Sequence, residues 1–188
     1  MREQITLGVL AGGQAQRLGG TDKAFVEFKG QPLLTRTLAA MGGGFAQVLA
    51  SYNGDDPRIK EFELQDLPDL RPDFQGPMAG IEALLKATTS DWLLTVPVDL
   101  RDIPEGLVES LCREAQKDPA VNGVVIRDQE GLQPLLALWR VATARQAIVA
   151  ALDSGDGAVH RLLQTERFQI LDISPRRLGN LNTPADFE

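Results

Sequence analysis

The chain has 188 residues, enough for one domain with a sizeable buried core, and its hydrophobic fraction of 43% argues against wholesale disorder. A net charge of −7 excludes a general nucleic-acid binder, because phosphate backbones attract basic surfaces, but leaves room for a small anionic substrate at a locally basic site. No apolar run approaches the ~18 residues that span a bilayer, and Met1-Arg2-Glu3-Gln4 carries no apolar signal region, so the expected location is the cytoplasm.

The first predicted element is a strand over Thr6–Leu10. It runs into Leu10-Ala11-Gly12-Gly13-Gln14-Ala15-Gln16-Arg17-Leu18-Gly19-Gly20-Thr21-Asp22-Lys23, the most informative stretch of the chain. Glycine allows close backbone approach to a ligand and turns through positive φ. Exposed backbone N–H groups attract anions, and Arg17 and Lys23 add charge. The pattern reads as a loop for a nucleotide triphosphate. A P-loop is excluded, because five residues separate Gly13 from Gly19 and Lys23 follows too late. A dinucleotide fingerprint is excluded by the glycine spacing as well. The plain alternative, a ligand-free strand-to-helix connection, has no use for two cations on a glycine scaffold.

A helix follows over Leu33–Met41, stopped by Gly42-Gly43-Gly44. Gln47–Ala50 reads as a second strand. Ser51 and Asn53 after it are candidates for contacts to a base or ribose, against the plain turn that Asn53-Gly54 also favours. Asp69 lies in an aperiodic Pro- and Gly-containing loop that leads through Gly76-Pro77-Met78-Ala79-Gly80 into a helix over Gly80–Lys86. Taken alone, Asp69 is as readily a surface acid as a ligand.

Trp92–Val96 is a continuous apolar run suited to the middle of a sheet. Asp99 ends that segment, where a carboxylate sits at the mouth of a crevice and suits Mg²⁺, which takes one or two carboxylates plus phosphate oxygens and water. The alternative is a helix cap, for which Asp102 is better placed. A helix over Ile103–Lys117 starts near Pro104. The single cysteine, Cys112, falls among its apolar positions and reads as a packed thiol. One cysteine also rules out an intramolecular disulfide and a cysteine-based zinc site.

Gly123–Ile126 and Leu135–Trp139 read as strands joined by a polar turn, Arg127–Gln133. Helices over Ala142–Leu152 and Ala158–Gln164 follow, then a strand over Phe168–Ile173. Thr183-Pro184 opens a short C-terminal helix. Lone His160 reads as a surface or satisfied residue. Asn180 and Asn182 are candidates for ligand contact or for capping the last helix. The alternation predicts an α/β fold: a single domain over 1–188, with helices on both sides of a mostly parallel central sheet. In such sheets ligands bind beyond the carboxyl ends of the strands, so the loops after Leu10, Ala50 and Val98 should share one edge.

With these residues in place, the chain resembles the molybdenum cofactor guanylyltransferases. Leu10-Ala11-Gly12-Gly13, Arg17-Leu18-Gly19-Gly20 and Asp22-Lys23 are similar to that family's opening signature. Gly30, Pro32, Leu33, Gly76-Pro77-Met78-Ala79-Gly80, Pro97-Val98-Asp99 and Asn180-Leu181-Asn182-Thr183-Pro184 are similar to its later segments. The resemblance implies a three-layer, Rossmann-like nucleotidyltransferase fold. It implies transfer of GMP from GTP to Mo-molybdopterin with release of pyrophosphate, assisted by Mg²⁺. It assigns Leu10, Ala11, Gly12 and Gly13 to the guanine nucleotide, Lys23 to its phosphates, Asp69 to the nucleotide site, and Asp99 to nucleotide and Mg²⁺. Arg17 and Lys23 would offset negative charge in the reaction.

The family often has Asn where this chain has Ser51. Gln133, Asn180 and Asn182 would line the pterin side. Molybdopterin-supplying proteins and molybdoenzyme chaperones are the implied partners, with no nucleic acid or membrane, and with the chain a monomer or weak homo-oligomer. The opening signature is shared across a wider superfamily. A cytidylyltransferase for the same pterin, another nucleotidyltransferase acting on a phosphorylated small molecule, and a non-catalytic GTP sensor are the rival readings. Relatives of the first two kinds commonly show Leu-Ala-Ala-Gly. The second glycine here, Gly12, leaves more room beside the base and suits a purine.

Overall fold

The computed structural model describes residues 2–12, 22–72 and 75–187. Strand β1 (Ile5–Leu10) is buried at every position. It pairs in parallel with β4 (Gln47–Ser51) on one side and β6 (Trp92–Pro97) on the other. Between them lie a two-residue hairpin, β2 (Glu27–Phe28) and β3 (Gln31–Pro32), and helix α1 (Leu33–Met41). Gly42, at φ 70°, ends α1 as expected. A short edge strand, β5 (Gln65–Leu67), pairs in parallel with β4. Helix α2 (Pro77–Ala87) connects β5 to β6 and covers β1 and β4.

The second half continues with α3 (Leu107–Gln116), β7 (Gly123–Asp128), β8 (Gly131–Arg140), α4 (Val141–Asp153), α5 (Val159–Thr165) and β9 (Phe168–Asp172). The seven-stranded sheet has the order β5-β4-β1-β6-β8-β7-β9. β8 alone runs against its neighbours, being antiparallel to both β6 and β7. The expected α/β architecture with a mostly parallel central sheet is therefore present.

Alternate residues of the buried strands feed two cores. Ile5, Leu7 and Val9 of β1 pack with Leu33 and Leu34 of α1 and Leu107 and Leu111 of α3 on one face. Leu49, Leu93, Val125 and Trp139 pack with Ile81 and Leu84 of α2 and Ile148 of α4 on the other. This period-two sorting yields the three layers. Gly8 is required for it: a Cβ there would lie 2.9 Å from both Leu84 Cδ1 and Leu93 Cδ1, so α2 sits directly on bare backbone.

Several expected boundaries differ; α2, for one, begins at Pro77 rather than Gly80. α3 begins at Leu107 rather than near Ile103, because Gly106 adopts a left-handed φ of 71° and Pro104 instead closes a turn to Leu107 N. The polar turn expected over 127–133 is mostly strand. Arg127 pairs with Leu132 and Asp128 with Gly131, leaving only Gln129 and Glu130 to turn. The ladder slips between Val125, which faces Ala137, and Ile126, which faces Gln133. Residues 134–136 thus bulge from the pairing at a proline, which cannot donate to a ladder.

Candidate active site

Three parallel strands end in register. Leu10 pairs with Ser51 on one side and with Pro97 on the other. Beyond these carboxyl ends the backbone stays stitched: Ala11 N donates to Ser51 O at 3.0 Å and Val98 N to Leu10 O at 3.2 Å. β5 ends alongside Ser51, and Tyr52 N donates to Leu67 O at 2.8 Å. The described residues that follow Leu10, Ala50 and Val98 accordingly lie along one edge, as the parallel order requires.

A cavity of about 250 Å³ opens at this edge. Leu10, Gly12, Lys23, Ser51, Asn53, Asp69 and Asp99 all line it, so seven residues singled out from sequence converge on one space. The first turn of α2 closes one wall with Gly76, Pro77 and Gly80, and Leu135 reaches in from the bulge of β8. Gly80 is constrained by close approach. A Cβ there would lie 2.5 Å from Ser51 Oγ and 3.3 Å from Leu10 Cδ2. Ala11, 3% exposed, stands behind the wall and contributes its stitched backbone. The expected contacts of Gly13 and Arg17 lie outside the described residues.

Lys23 and Asp99 meet across the cavity. Lys23 Nζ donates to Asp99 Oδ2 at 2.6 Å, and each side chain is 18% exposed. The same ammonium donates to Asn182 Oδ1 at 2.6 Å. Lys23 rises from a 3₁₀ turn (Lys23–Phe25) whose N-cap is Asp22: Asp22 Oδ1 accepts from Ala24 N at 3.1 Å. Asn182 arrives because the C-terminal segment runs beside the end of β6, where Leu181 N donates to Asp99 O at 2.8 Å. Asp186 then fixes the Asn182 turn, accepting from Asn182 N at 2.9 Å and from Thr183 N at 2.7 Å. These backbone donors, Thr183's first, hold the Asp186 carboxyl below its usual range.

Asp69 lies two residues past β5. Its N–H donates to Asn53 Oδ1 at 2.8 Å, which ties the two cavity residues together. Asp69 Oδ1 is buried without a hydrogen-bond partner. Burial pushes this carboxyl above its ordinary value, opposed by a hydrogen bond from Asn53 and supported by Glu82 nearby. An acceptor left unmatched in a cavity wall is costly unless a ligand donor reaches it.

The three residues placed on a pterin side separate. Asn182 is on the Lys23 ammonium. Asn180 is exposed and bridges Leu100 through its backbone. Gln133 does not reach the cavity: its Nε2 donates to Asp128 Oδ1 at 3.0 Å, because Asp128, 2% exposed, gathers the donors at the β7–β8 turn. Sequence reading left Tyr52 and Asp186 without roles. The order Asn182-Thr183-Pro184-Ala185-Asp186 carried the signal for the second, as an acid one turn beyond a capping residue.

Among the described residues no group of three or more His, Cys, Asp or Glu side chains is placed to hold a metal ion. Asp99 supplies one hard carboxylate at the cavity wall, and Asp69 lines the same cavity. That fits a cation which keeps its waters and shares phosphate oxygens with a nucleotide, and does not fit an all-protein cage.

The MobA-like NTP transferase domain model matches residues 7–170. A molybdenum cofactor guanylyltransferase of Serratia proteamaculans is 36% identical over 188 residues, covering 99% of this chain and 93% of its own length. One of Shewanella putrefaciens is 32% identical over 177 residues, covering 93% and 90%. The solved molybdopterin-guanine dinucleotide biosynthesis protein A of Archaeoglobus fulgidus superposes with a TM-score of 0.78 at 21% identity, over 97% of this chain and 94% of that one, which shows the shared fold. A domain match spanning nearly the whole chain and two full-length relatives above 30% identity place this protein in the molybdenum cofactor guanylyltransferase family, within the MobA-like NTP transferases.

Proposed function

We propose that this chain transfers GMP from GTP to Mo-molybdopterin, forming the molybdopterin guanine dinucleotide cofactor and releasing pyrophosphate. The observation that carries the reading is the Lys23–Asp99 pair facing one cavity at the ends of β1 and β6, in a chain of this family. Within this reading the backbone of Leu10, Ala11 and Gly12, with Gly13 next in sequence, receives the nucleotide, and Ser51 and Asn53 lie on its base and ribose side. Asp69 Oδ1 offers an acceptor to the N–H edge of guanine, whose N1–H and 2-amino groups are donors. Gly80 and Gly12 keep that wall free of side-chain bulk.

The attacking group is a phosphate oxygen that is already anionic, so the site needs no general base. Its work is to hold two polyanions together and to stabilise charge on the leaving pyrophosphate. Lys23 neutralises phosphate charge, helped by Arg17 from the adjoining segment, and Asn182 and Asp99 aim the ammonium. Asp99 would hold Mg²⁺ together with triphosphate oxygens; when bound, the ion supplies Lewis-acid charge stabilisation. Asn180, exposed beside Asn182, stays the residue for the pterin side. No helix among the described residues is long and apolar enough to cross a membrane. A GTP substrate and a free, buried Cys112 thiol suit the cytoplasm.

The test is nucleotide selectivity. Thermal shift in Mg²⁺ with GTP, CTP, ATP and UTP should give the largest stabilisation with GTP. A preference for CTP transfers the reading to a cytidylyltransferase.

A further inference from the structure

Consecutive residues at the end of β4 hold the chain on both sides of positions 13–21. Ser51 O accepts from Ala11 N at 3.0 Å before the segment. Tyr52 Oη donates to Asp22 Oδ2 at 2.5 Å after it. Asp22 thereby has two duties. One carboxylate oxygen caps the turn that carries Lys23, and the other is held by Tyr52.

Tyr52 is well fixed for this. It is 4% exposed, its ring meets Phe25 edge-on with centroids 6.2 Å apart, and its Oη also accepts from Asp56 N at 3.1 Å. Gly54 makes the approach feasible, since a Cβ there would collide with both Asp22 Oδ2 and Tyr52 Oη. Burial, and then the hydrogen bond to Asp22, push the Tyr52 hydroxyl well above its ordinary range.

We propose that Tyr52 is a positioning residue for Lys23: its hydroxyl, acting through Asp22, fixes the turn that aims the ammonium at Asp99 and Asn182. The relation is one of geometry. Lys23 Nζ must meet two oxygens at 2.6 Å on segments far apart in sequence, and its own turn is held by one carboxylate. With only the cap remaining, Asp22 can rotate about its side chain, and the turn keeps its Phe25 packing but loses its side-chain hydrogen bond to the sheet edge. The consequence for turnover rests on the guanylyl-transfer reading, whereas the consequence for Lys23 does not.

The test is trace acetylation of the nucleotide-free protein, read lysine by lysine by mass spectrometry. In Tyr52→Phe the ring packing remains and only the hydroxyl is lost. Lys23 should label at least fivefold faster than in the wild type, while Lys60, Lys86 and Lys117 keep their rates. Asp22→Ala should give the same selective rise, and Tyr52→Phe/Asp22→Ala should label no faster than Asp22→Ala alone. A Lys23 rate within twofold of wild type overturns the proposal, as does a common rise at all four lysines, which would mean general loosening. Turnover is measured alongside: Tyr52→Phe should lose about tenfold in kcat with the KM for GTP within threefold. Absence of pyrophosphate release in the wild type would defeat the transferase reading and leave the labelling result to decide the positioning role.

Discussion

Asn182 Oδ1 lies 2.6 Å from Lys23 Nζ, joining the last turn of the chain to the residue that follows the glycine-rich segment. An ammonium has three N–H donors. Among the described residues two of them are taken, by Asn182 and by Asp99; in the proposed function the third meets a phosphate oxygen. Lys23→Ala should cost about 3 kcal/mol or more of transition-state stabilisation, roughly a hundredfold or more in kcat/KM. Asn182→Ala removes one charge-assisted hydrogen bond and should cost about 2 kcal/mol by the same measure. Steady-state kinetics decides the matter, and an Asn182→Ala loss below threefold would detach the C-terminal turn from the site.

Asp69 sets stability against binding. Burial raises its carboxyl above the ordinary 3.8, so the folded state holds the proton more tightly than the unfolded chain. Stability therefore falls as pH rises from the ordinary carboxylate range through the raised one. Asp69→Asn removes this dependence. The nucleotide-free variant should be more stable at pH 7 by roughly 1 kcal/mol, because the amide removes the charge that burial disfavours. The difference should vanish below pH 3.8, and GTP affinity should drop at least tenfold. Denaturant melts across pH, with calorimetric titration of GTP, measure both.

Gly80 touches the back of Ser51. An alanine there must push against Ser51 Oγ and Leu10 Cδ2, both in the cavity wall. Gly80→Ala should destabilise the protein by about 1–3 kcal/mol, the usual cost of overpacking, and should weaken GTP binding more than a Gly43→Ala change, whose added Cβ meets open space without a left-handed φ. Chemical denaturation and nucleotide titration of the two variants provide the comparison.

Asp128 anchors the C-terminal segment to the β7–β8 turn. Burial would raise its carboxyl, but hydrogen bonds from Leu178 N, Gln133 and Glu130 N outweigh burial and hold it below 3.8. A depressed value means stability that is present above the unfolded pKa and lost as pH falls through the folded one. Asp128→Asn turns an acceptor into a donor facing N–H groups and should cost about 2 kcal/mol at pH 7. The gap from wild type should close as the pH drops below 3.8. A gap constant with pH would show that the ionised carboxylate contributes nothing.

Much of this was legible in the sequence for identifiable reasons. Trp92–Pro97 and Ile5–Leu10 are continuous apolar runs, and their parallel pairing forces Leu10 and Asp99 onto one edge. β5 was hidden because Gln65-Asp66-Leu67 is three residues long and two are polar; its pairing with β4 comes from the tertiary fold. Asp69 consequently looked like a loop acid, although a strand delivers it to the cavity. The family resemblance points Asn182 to the pterin side, and nothing local marks its contact with Lys23, which depends on the backbone bond between Leu181 and Asp99. Tyr52 carried no signal at all, since a single aromatic after a strand reads as core packing.

The measurement that bears most directly on the account is pyrophosphate release by wild type and Asp99→Asn with GTP, Mg²⁺ and Mo-molybdopterin, with CTP run in parallel. The wild type should release pyrophosphate with GTP only when the molybdopterin is present, and turn CTP over far more slowly. Asp99→Asn, with an unfolding transition close to wild type, should lose at least a hundredfold. Near-normal transfer by folded Asp99→Asn, or equal turnover of CTP, would contradict the assignment of this cavity to guanylyl transfer.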